Sequence, residues 1–295
     1  MKEKSIYALG FFDGVHLGHQ ALLRQCRTLA TEYGCAPGAM TFSQHPNALV
    51  LGQRPNLINT LDDRCHLLTA MGAKNLVMLP FDDALMHMPW RDFIRFLRTE
   101  HNAAGFVCGN DFRFGYKGEG NADILAQYCQ AAGLPYTVVP QQNLDGTRVS
   151  SSYIRSLLKD GDVKTANRFL GHPHILSGTV VAGKQLGRTI GIPTANLRLP
   201  WELLTPKFGV YATLACFDGK KYPAVTNIGT RPTVQGEDIT VEPWILDFDG
   251  DLYEKEIRLE FHEFLRPEKK YESLAQLQAE IRKNAAQTRK FFAKT

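Results

Sequence analysis

The sequence predicts two domains of different class: an α/β domain on a doubly wound parallel sheet, then a small antiparallel β-barrel with a C-terminal helix. Three observations lead there. The first half alternates short apolar runs with helical patterns, the texture of strands buried on both faces of a sheet. After residue 170 the apolar runs follow one another across Gly, Asp and Pro turns, with no helix between them. A length of 295 residues also favours two domains over one.

In chain order, "SIYALG", "GAMTF", "NLVMLPF", "GFVCG" and "YTVVP" read as buried parallel strands. Helical patterns separate them, at roughly 18–33, 60–72, 89–101 and 121–132. Two further helical stretches, "SSSYIRSLLKDG" and "VKTANRFLG", lead to the boundary at "LGHPHILSG". Five strand-like runs then follow: "ILSGTVVAG", "GVYATLACF", "KYPAVTNIG", "ITVEPWILDF" and "EIRLEFHEFL". A long helix from about Leu274 ends the chain, and Ser273 and Gln276 have the capping-box spacing to start it. The expected division is 1–157, a helical linker at 158–171, and 172–295.

Composition narrows the function classes. With 44% hydrophobic and 22% charged residues the chain reads as an ordinary globular protein. The net charge is +4, of which residues 1–157 contribute +1 and the remainder +3. That is too little for a nucleic-acid face, and it suits small anionic substrates. The six cysteines never reach a C-x-x-C spacing, which argues against a zinc ribbon and for buried free thiols. No apolar run approaches the ~18 residues of a membrane span, and "MKEKSIYALG" lacks a signal-peptide core. The expected location is the reducing cytoplasm.

The first chemical constellation is "GFFDGVHLGHQ", directly behind the first strand. Glycines in such a turn let backbone approach a bulky anion. The helix that follows offers free N–H groups and a positive dipole end, and histidines can donate to phosphate oxygens. The stretch therefore reads as a nucleotide-handling loop at the carboxyl end of a strand, where open α/β sheets bind ligands.

"FDGVHLGH" resembles the H-x-G-H signature of nucleotidyltransferases, in particular the flavin adenylyltransferase branch, and "TFSQHP", "GNDFRFG" and "SSSYIR" match further on. The second half is similar to riboflavin kinase through "GRTIGIPTANL", "GVY", "TNIGTRPT" and "VEPWILDFDGDLY". The chain thus resembles the bacterial bifunctional riboflavin kinase/FMN adenylyltransferase family over nearly its whole length. The resemblance implies a Rossmann-like first domain, a riboflavin kinase-like barrel, ATP as cosubstrate, and riboflavin, FMN and FAD as substrates and products.

By that resemblance His16 and His19 contact the ATP phosphates and the transition state. Gly10, Phe12, Asp13, Gly14 and Gly18 belong to the same nucleotide loop, with Asp13 anchoring it, and Asp111 falls in the "DFxFG" segment. Ser150, Ser151 and Arg155 form a second phosphate clamp, although the two serines equally suit a helix cap. Phe112 and Phe114 suit packing better than ring stacking, and His45 fits either a phosphate contact or the extended backbone before Pro46.

In the second half, Gly178, Gly183 and Lys184 have Walker spacing, but Gln185 replaces the magnesium-binding hydroxyl and no helix pattern follows. Within the kinase resemblance, Gly183, Lys184, Gly187 and Arg188 form a loop over the ATP phosphates, and Pro193 fixes entry to "PTAN". Thr194 and Asn196, two apart on an extended segment, point the same way and can offer oxygens to one Mg²⁺. Glu242 is the implied base for the riboflavin 5′-hydroxyl. The chain departs from the family pattern at Gln44, Ile192, Trp244 and Asn284, and the last two bear on how the kinase site holds flavin.

Two rivals stand beside this reading. Another H-x-G-H transferase, such as an aminoacyl-tRNA synthetase, would leave "PTAN" unexplained and would want a KMSKS loop. A flavin-binding protein with one lapsed half would lack a phosphate or base group, and every one of those groups is in the sequence.

Overall fold

The computed structural model describes residues 3–45, 56–183, 187, 191–233 and 236–294, and divides into two compact units. The first comprises 1–56 and 61–151, the second 57–60 and 152–295.

The first unit is a five-stranded parallel sheet. Its strands are β1 (Ser5–Leu9), β2 (Ala36–Phe42), β3 (Asn75–Leu79), β4 (Ala103–Gly109) and β5 (Tyr136–Val139), in the order β3-β2-β1-β4-β5. Helices α1 (Leu17–Glu32), α2 (Leu61–Ala70), α3 (Trp90–Glu100) and α4 (Ala122–Ala132) alternate with them. The predicted strands and helices all form, because β1 is buried at every residue and each helix has an apolar face to cover the sheet. Cys26 of α1 donates its thiol to the carbonyls of Ile6 (3.1 Å) and Gly38 (3.3 Å), and burial pushes it up to about 11. It is a packing residue.

Strand order fixes where a ligand can sit. β1 neighbours β2 on one side and β4 on the other, so the winding reverses between β1 and β4. In sheets of this kind ligands bind beside the loops that leave the carboxyl ends of those two strands.

The second unit is a closed antiparallel barrel. Its strands are β6 (His174–Val181), β7 (Asn196–Arg198), β8 (Gly209–Phe217), β9 (Lys220–Thr233), β10 (Gly236–Ile245) and β11 (Glu256–Arg266), arranged β6-β7-β10-β9-β8-β11 and closed by β6 on β11. Closure removes the sheet edges. Helix α5 (Ser151–Asp160) crosses from the first unit, while α6 (Val163–Leu170) belongs wholly to the second. Residues 158–171, expected as a linker, are counted with the second unit. Asn167 donates to the Phe261 carbonyl (2.7 Å) and accepts from the His174 N–H (2.7 Å), tying α6 to the barrel.

The terminal helix α7 (Leu274–Phe292) starts as its sequence implies, with the Ser273 hydroxyl accepting from the Gln276 N–H at 3.3 Å. The return bond differs from a true capping box, since the Gln276 side chain accepts from the N–H of Glu272. Asn284, Ala285 and Thr288 are its buried face.

Candidate active sites

At the end of β1 the chain makes a tight turn. Phe12 (φ 60°), Gly14 (φ 82°) and Val15 (φ 39°) are all in the left-handed region, and Phe12 and Val15 are fully buried. A β-branched valine there is strained. Gly10 and Gly18 are set close against aromatic rings. A Cβ on Gly10 would lie 3.3 Å from the Phe12 ring, and one on Gly18 would lie 3.1 Å from the His16 ring. Those two glycines make room for rings.

His16 is the N-cap of α1, its Nδ1 accepting from the His19 N–H at 3.3 Å. The His16 and His19 rings stack with centroids 3.6 Å apart and an 11° tilt. Burial, then the neighbouring His16 and Arg64, hold His19 well below the ordinary histidine range. Its Nδ1 is buried without a hydrogen-bond partner among the described residues. His19 is therefore held in its uncharged form.

A distant segment reaches this loop. The Ser151 hydroxyl donates to the Asp13 carbonyl at 2.9 Å, with Ser150 immediately before it. Asp111, exposed just beyond β4, pairs with Arg148 at 2.6 Å. Phe114 is in the core and Phe112 stacks on it at 5.5 Å, so both are packing residues. The His45 ring meets Phe11 edge-on at 4.6 Å. Arg155 lies on α5 within the second unit.

Sequence reasoning passed over Arg64, which is 1% exposed beneath the same turn. It donates to the carbonyls of Phe11 (2.9 Å) and Phe42 (2.8 Å) and lies 4.2 Å over the Phe11 ring. The available signal was an arginine on the buried stripe of α2, with Leu67 and Leu68 at i+3 and i+4.

In the barrel, two cavities meet at Thr194. One, of about 620 Å³, is lined by Gly183, Pro193, Thr194, Asn196, Pro243 and the 248–253 turn. The other, of about 280 Å³, is lined by Thr194, Asn227, Glu242, Trp244, Arg266 and Asn284, among others. Val210, Asn227 and Glu242 are register partners across β8, β9 and β10, so Glu242 stands on the floor of the smaller cavity. The Ala195 N–H donates to the Pro243 carbonyl at 3.0 Å, which sets "PTAN" alongside the Glu242 strand. Gly183 abuts the Asn196 amide and Gly187 the Ile192 carbonyl, leaving no space for a Cβ at either. Asn284 Oδ1 accepts from Arg266 Nε at 3.0 Å. Lys184 and Arg188 lie outside the described residues.

The oxygens of Thr194 and Asn196 suit a hard cation in kind, because Mg²⁺ bound with nucleotide takes few protein ligands and completes its shell with phosphate and water. Both residues line the larger cavity, on the side where it meets Glu242's.

The comparisons agree with this division. Residues 1–153 match the family model described as FAD synthetase, and residues 170–292 the one described as riboflavin kinase. A bifunctional riboflavin kinase/FMN adenylyltransferase of Listeria monocytogenes serovar 1/2a is 34% identical, over 98% of this chain and 93% of that protein. The protein of that name from Escherichia coli strain K12 is also 34% identical, over 100% of this chain and 95% of its own length. A crystal structure described as a macrolide-efflux protein from Streptococcus pneumoniae superposes with a TM-score of 0.88 at 30% identity, over 98% of this chain and 95% of the other. That description belongs to the other protein, and the likeness carries the fold. Among the described residues no helix is long and apolar enough to cross a membrane. With both family models matched in series and relatives aligned along nearly all of their length, the chain belongs to the bifunctional riboflavin kinase/FMN adenylyltransferase family.

Proposed function

We infer that this chain performs two successive transfers from ATP, riboflavin to FMN in the barrel and FMN to FAD in the α/β unit. The observation that carries the inference is the presence of two separate sites on two unrelated folds. One has a stacked histidine pair at a sheet's switch point; the other has a carboxylate beside the residue where two cavities meet.

In the barrel the larger cavity receives ATP and the smaller one the flavin. Glu242 accepts the proton of the riboflavin 5′-hydroxyl as its oxygen bonds to the γ-phosphorus and the bond to ADP breaks. Gly183, Gly187 and Pro193 shape the nucleotide side, with Lys184 and Arg188 as further loop contacts. Thr194 and Asn196 would hold Mg²⁺, which when bound neutralises phosphate charge.

In the α/β unit a phosphate oxygen of FMN attacks the α-phosphorus of ATP and pyrophosphate leaves. This needs no enzyme nucleophile, only alignment and donors for the extra phosphate charge. His16 and His19 supply N–H donors, and Gly10, Phe12, Asp13, Gly14 and Gly18 form the loop that presents them. Ser151 holds the loop through the Asp13 carbonyl, Ser150 is a further donor beside it, the resemblance adds Arg155, and Asp111 borders the flavin or nucleotide. The partners are small molecules, with no nucleic acid and no membrane. We place the enzyme in the cytoplasm, where six unpaired cysteines remain reduced.

The test uses riboflavin with Mg-ATP and separation of flavin products. His19→Ala should stop at FMN, while Glu242→Gln should leave riboflavin untouched yet still convert supplied FMN to FAD. Parallel loss of both activities in folded variants would refute the division of labour.

A further inference from the structure

We propose that Arg64 is a positioning residue for adenylyl transfer, binding the outgoing ends of β1 and β2 into one rim and setting a fixed positive charge behind the histidine loop for the ATP phosphates. The proposal rests on reading His16 and His19 as the phosphate-facing pair.

Arginine is seldom fully buried, and burying its charge is costly unless the group is well partnered. Here the guanidinium is 1% exposed, and its hydrogen bonds run to two backbone carbonyls, those of Phe11 and Phe42. Its Nε has no partner among the described residues. The face of the group lies 4.2 Å over the Phe11 ring, whose other contact is the His45 ring at 4.6 Å. Thr41 donates its hydroxyl to the same Phe11 carbonyl at 2.8 Å, so one oxygen at the head of the turn is held from two sides.

Neutral donors could meet the bonding needs of two carbonyls. A charge kept there at the cost of desolvation points to an electrostatic role. Two carbonyl oxygens, a ring face and the buried Asp13 carboxylate of the same loop offset part of that charge, and buried charges are little screened by salt. Burial draws the guanidinium down from its usual range while Asp13 of the same loop draws it up, and Arg64 in turn helps keep His19 neutral. Helix α1 begins in the same loop, with His16 as its N-cap, and its N-terminal dipole adds to the positive potential there. The bound triphosphate would thus meet oriented donors in front and a buried cation behind.

Three substitutions separate the roles: Arg64→Lys keeps charge, Arg64→Gln keeps a neutral donor, and Arg64→Met keeps neither. Each variant is assayed as the full chain for FAD formation from FMN at varied ATP, with riboflavin phosphorylation as an internal control. His19→Ala is run alongside. We expect Arg64→Gln to raise the KM for ATP in FAD formation roughly ten- to hundredfold. Arg64→Lys should recover most of that loss, and kinase activity should stay near wild type in both. An unchanged KM for ATP in Arg64→Gln, or equal losses in the Gln and Lys variants, overturns the proposal. So does loss of both activities together in those two variants, since Arg64 would then be a fold element alone. If His19→Ala itself still makes FAD, the fault lies with the reading of the loop rather than with Arg64.

Discussion

The amide of Asn196 fills the space that a Cβ on Gly183 would occupy. Gly183 and the "PTAN" segment are therefore in close contact, with Asn196 Cγ only 2.7 Å from that missing atom. Gly183→Ala has to displace Asn196, the residue proposed to offer an oxygen beside the nucleotide phosphates. Phosphorylation of riboflavin should fall at least roughly tenfold, with the KM for Mg-ATP rising, because misplacing a positioning group is costly. Conversion of supplied FMN to FAD should not change. Steady-state kinetics on both reactions checks this, and an unaltered kinase KM would refute the coupling.

His16 combines two tasks that one substitution can separate. Its Nδ1 caps α1, and its ring is one half of the stacked pair. An N-cap of this kind contributes about 0.5–2 kcal/mol. His16→Asn retains a capping oxygen but removes the ring, so the melting temperature should hold while FAD formation drops roughly a hundredfold or more. His16→Ala should lose both. A His16→Asn variant with normal FAD synthesis would reduce the histidine to a helix cap.

Asp111 and Arg148 form a 2.6 Å ion pair with both side chains more than half exposed. Exposed pairs of this sort contribute about 0–1 kcal/mol. Asp111→Asn should then leave thermal stability within about 0.5 kcal/mol, and riboflavin phosphorylation unchanged. Slower FAD formation in the same variant would have to come from contact with a substrate. Calorimetry together with a pyrophosphate-release assay reads both quantities, and normal release would leave Asp111 a surface residue.

The parts of this protein that were legible in its sequence are those that local chemistry dictates. β1 reads as a strand because five consecutive residues are apolar or small and all are buried. The histidine loop reads as a site because two imidazoles stand among three glycines behind that strand. The "PTAN" segment was recognisable as extended, but the strand Asn196–Arg198 was not, since three residues pair only through distant partners in β6 and β10. Nor could sequence foresee left-handed Phe12 and Val15, where the turn overrides the preferences of both residues. The bond from Ser151 to Asp13 spans 138 positions, and Arg64 reaches Phe11 across 53, so both exist only once the sheet has brought the segments together. Residues 158–171 read as a helical linker ahead of the boundary at "LGHPHILSG"; helix α6 within them buries Val163, Ala166, Phe169 and Leu170 and is grouped with the barrel unit.

His174 makes the barrel sensitive to acid. It is fully buried at the start of β6, and neither ring nitrogen has a hydrogen-bond partner among the described residues. Asn167, the nearby polar side chain, is already committed to the His174 N–H and the Phe261 carbonyl. Burial, with a smaller contribution from His172, draws His174 down to about 3 from an ordinary 6.5. The folded value lies below the unfolded one, so the stability this residue permits is complete above pH 6.5 and is lost as pH falls towards 3. Within that window the loss amounts to about 1.4 kcal/mol per pH unit. Glu260 acts in the same direction but lower. Burial alone would raise it, yet the nearby His262 ring and Lys221, which donates to both of its oxygens, hold it at about 2 against an ordinary 4.5, so its contribution is intact above pH 5. Urea denaturation between pH 5.0 and 7.5 isolates the histidine. The midpoint for the barrel should fall below pH 6.5 in the wild type and stay level in His174→Leu. A slope that survives the substitution would assign the acid sensitivity to another group.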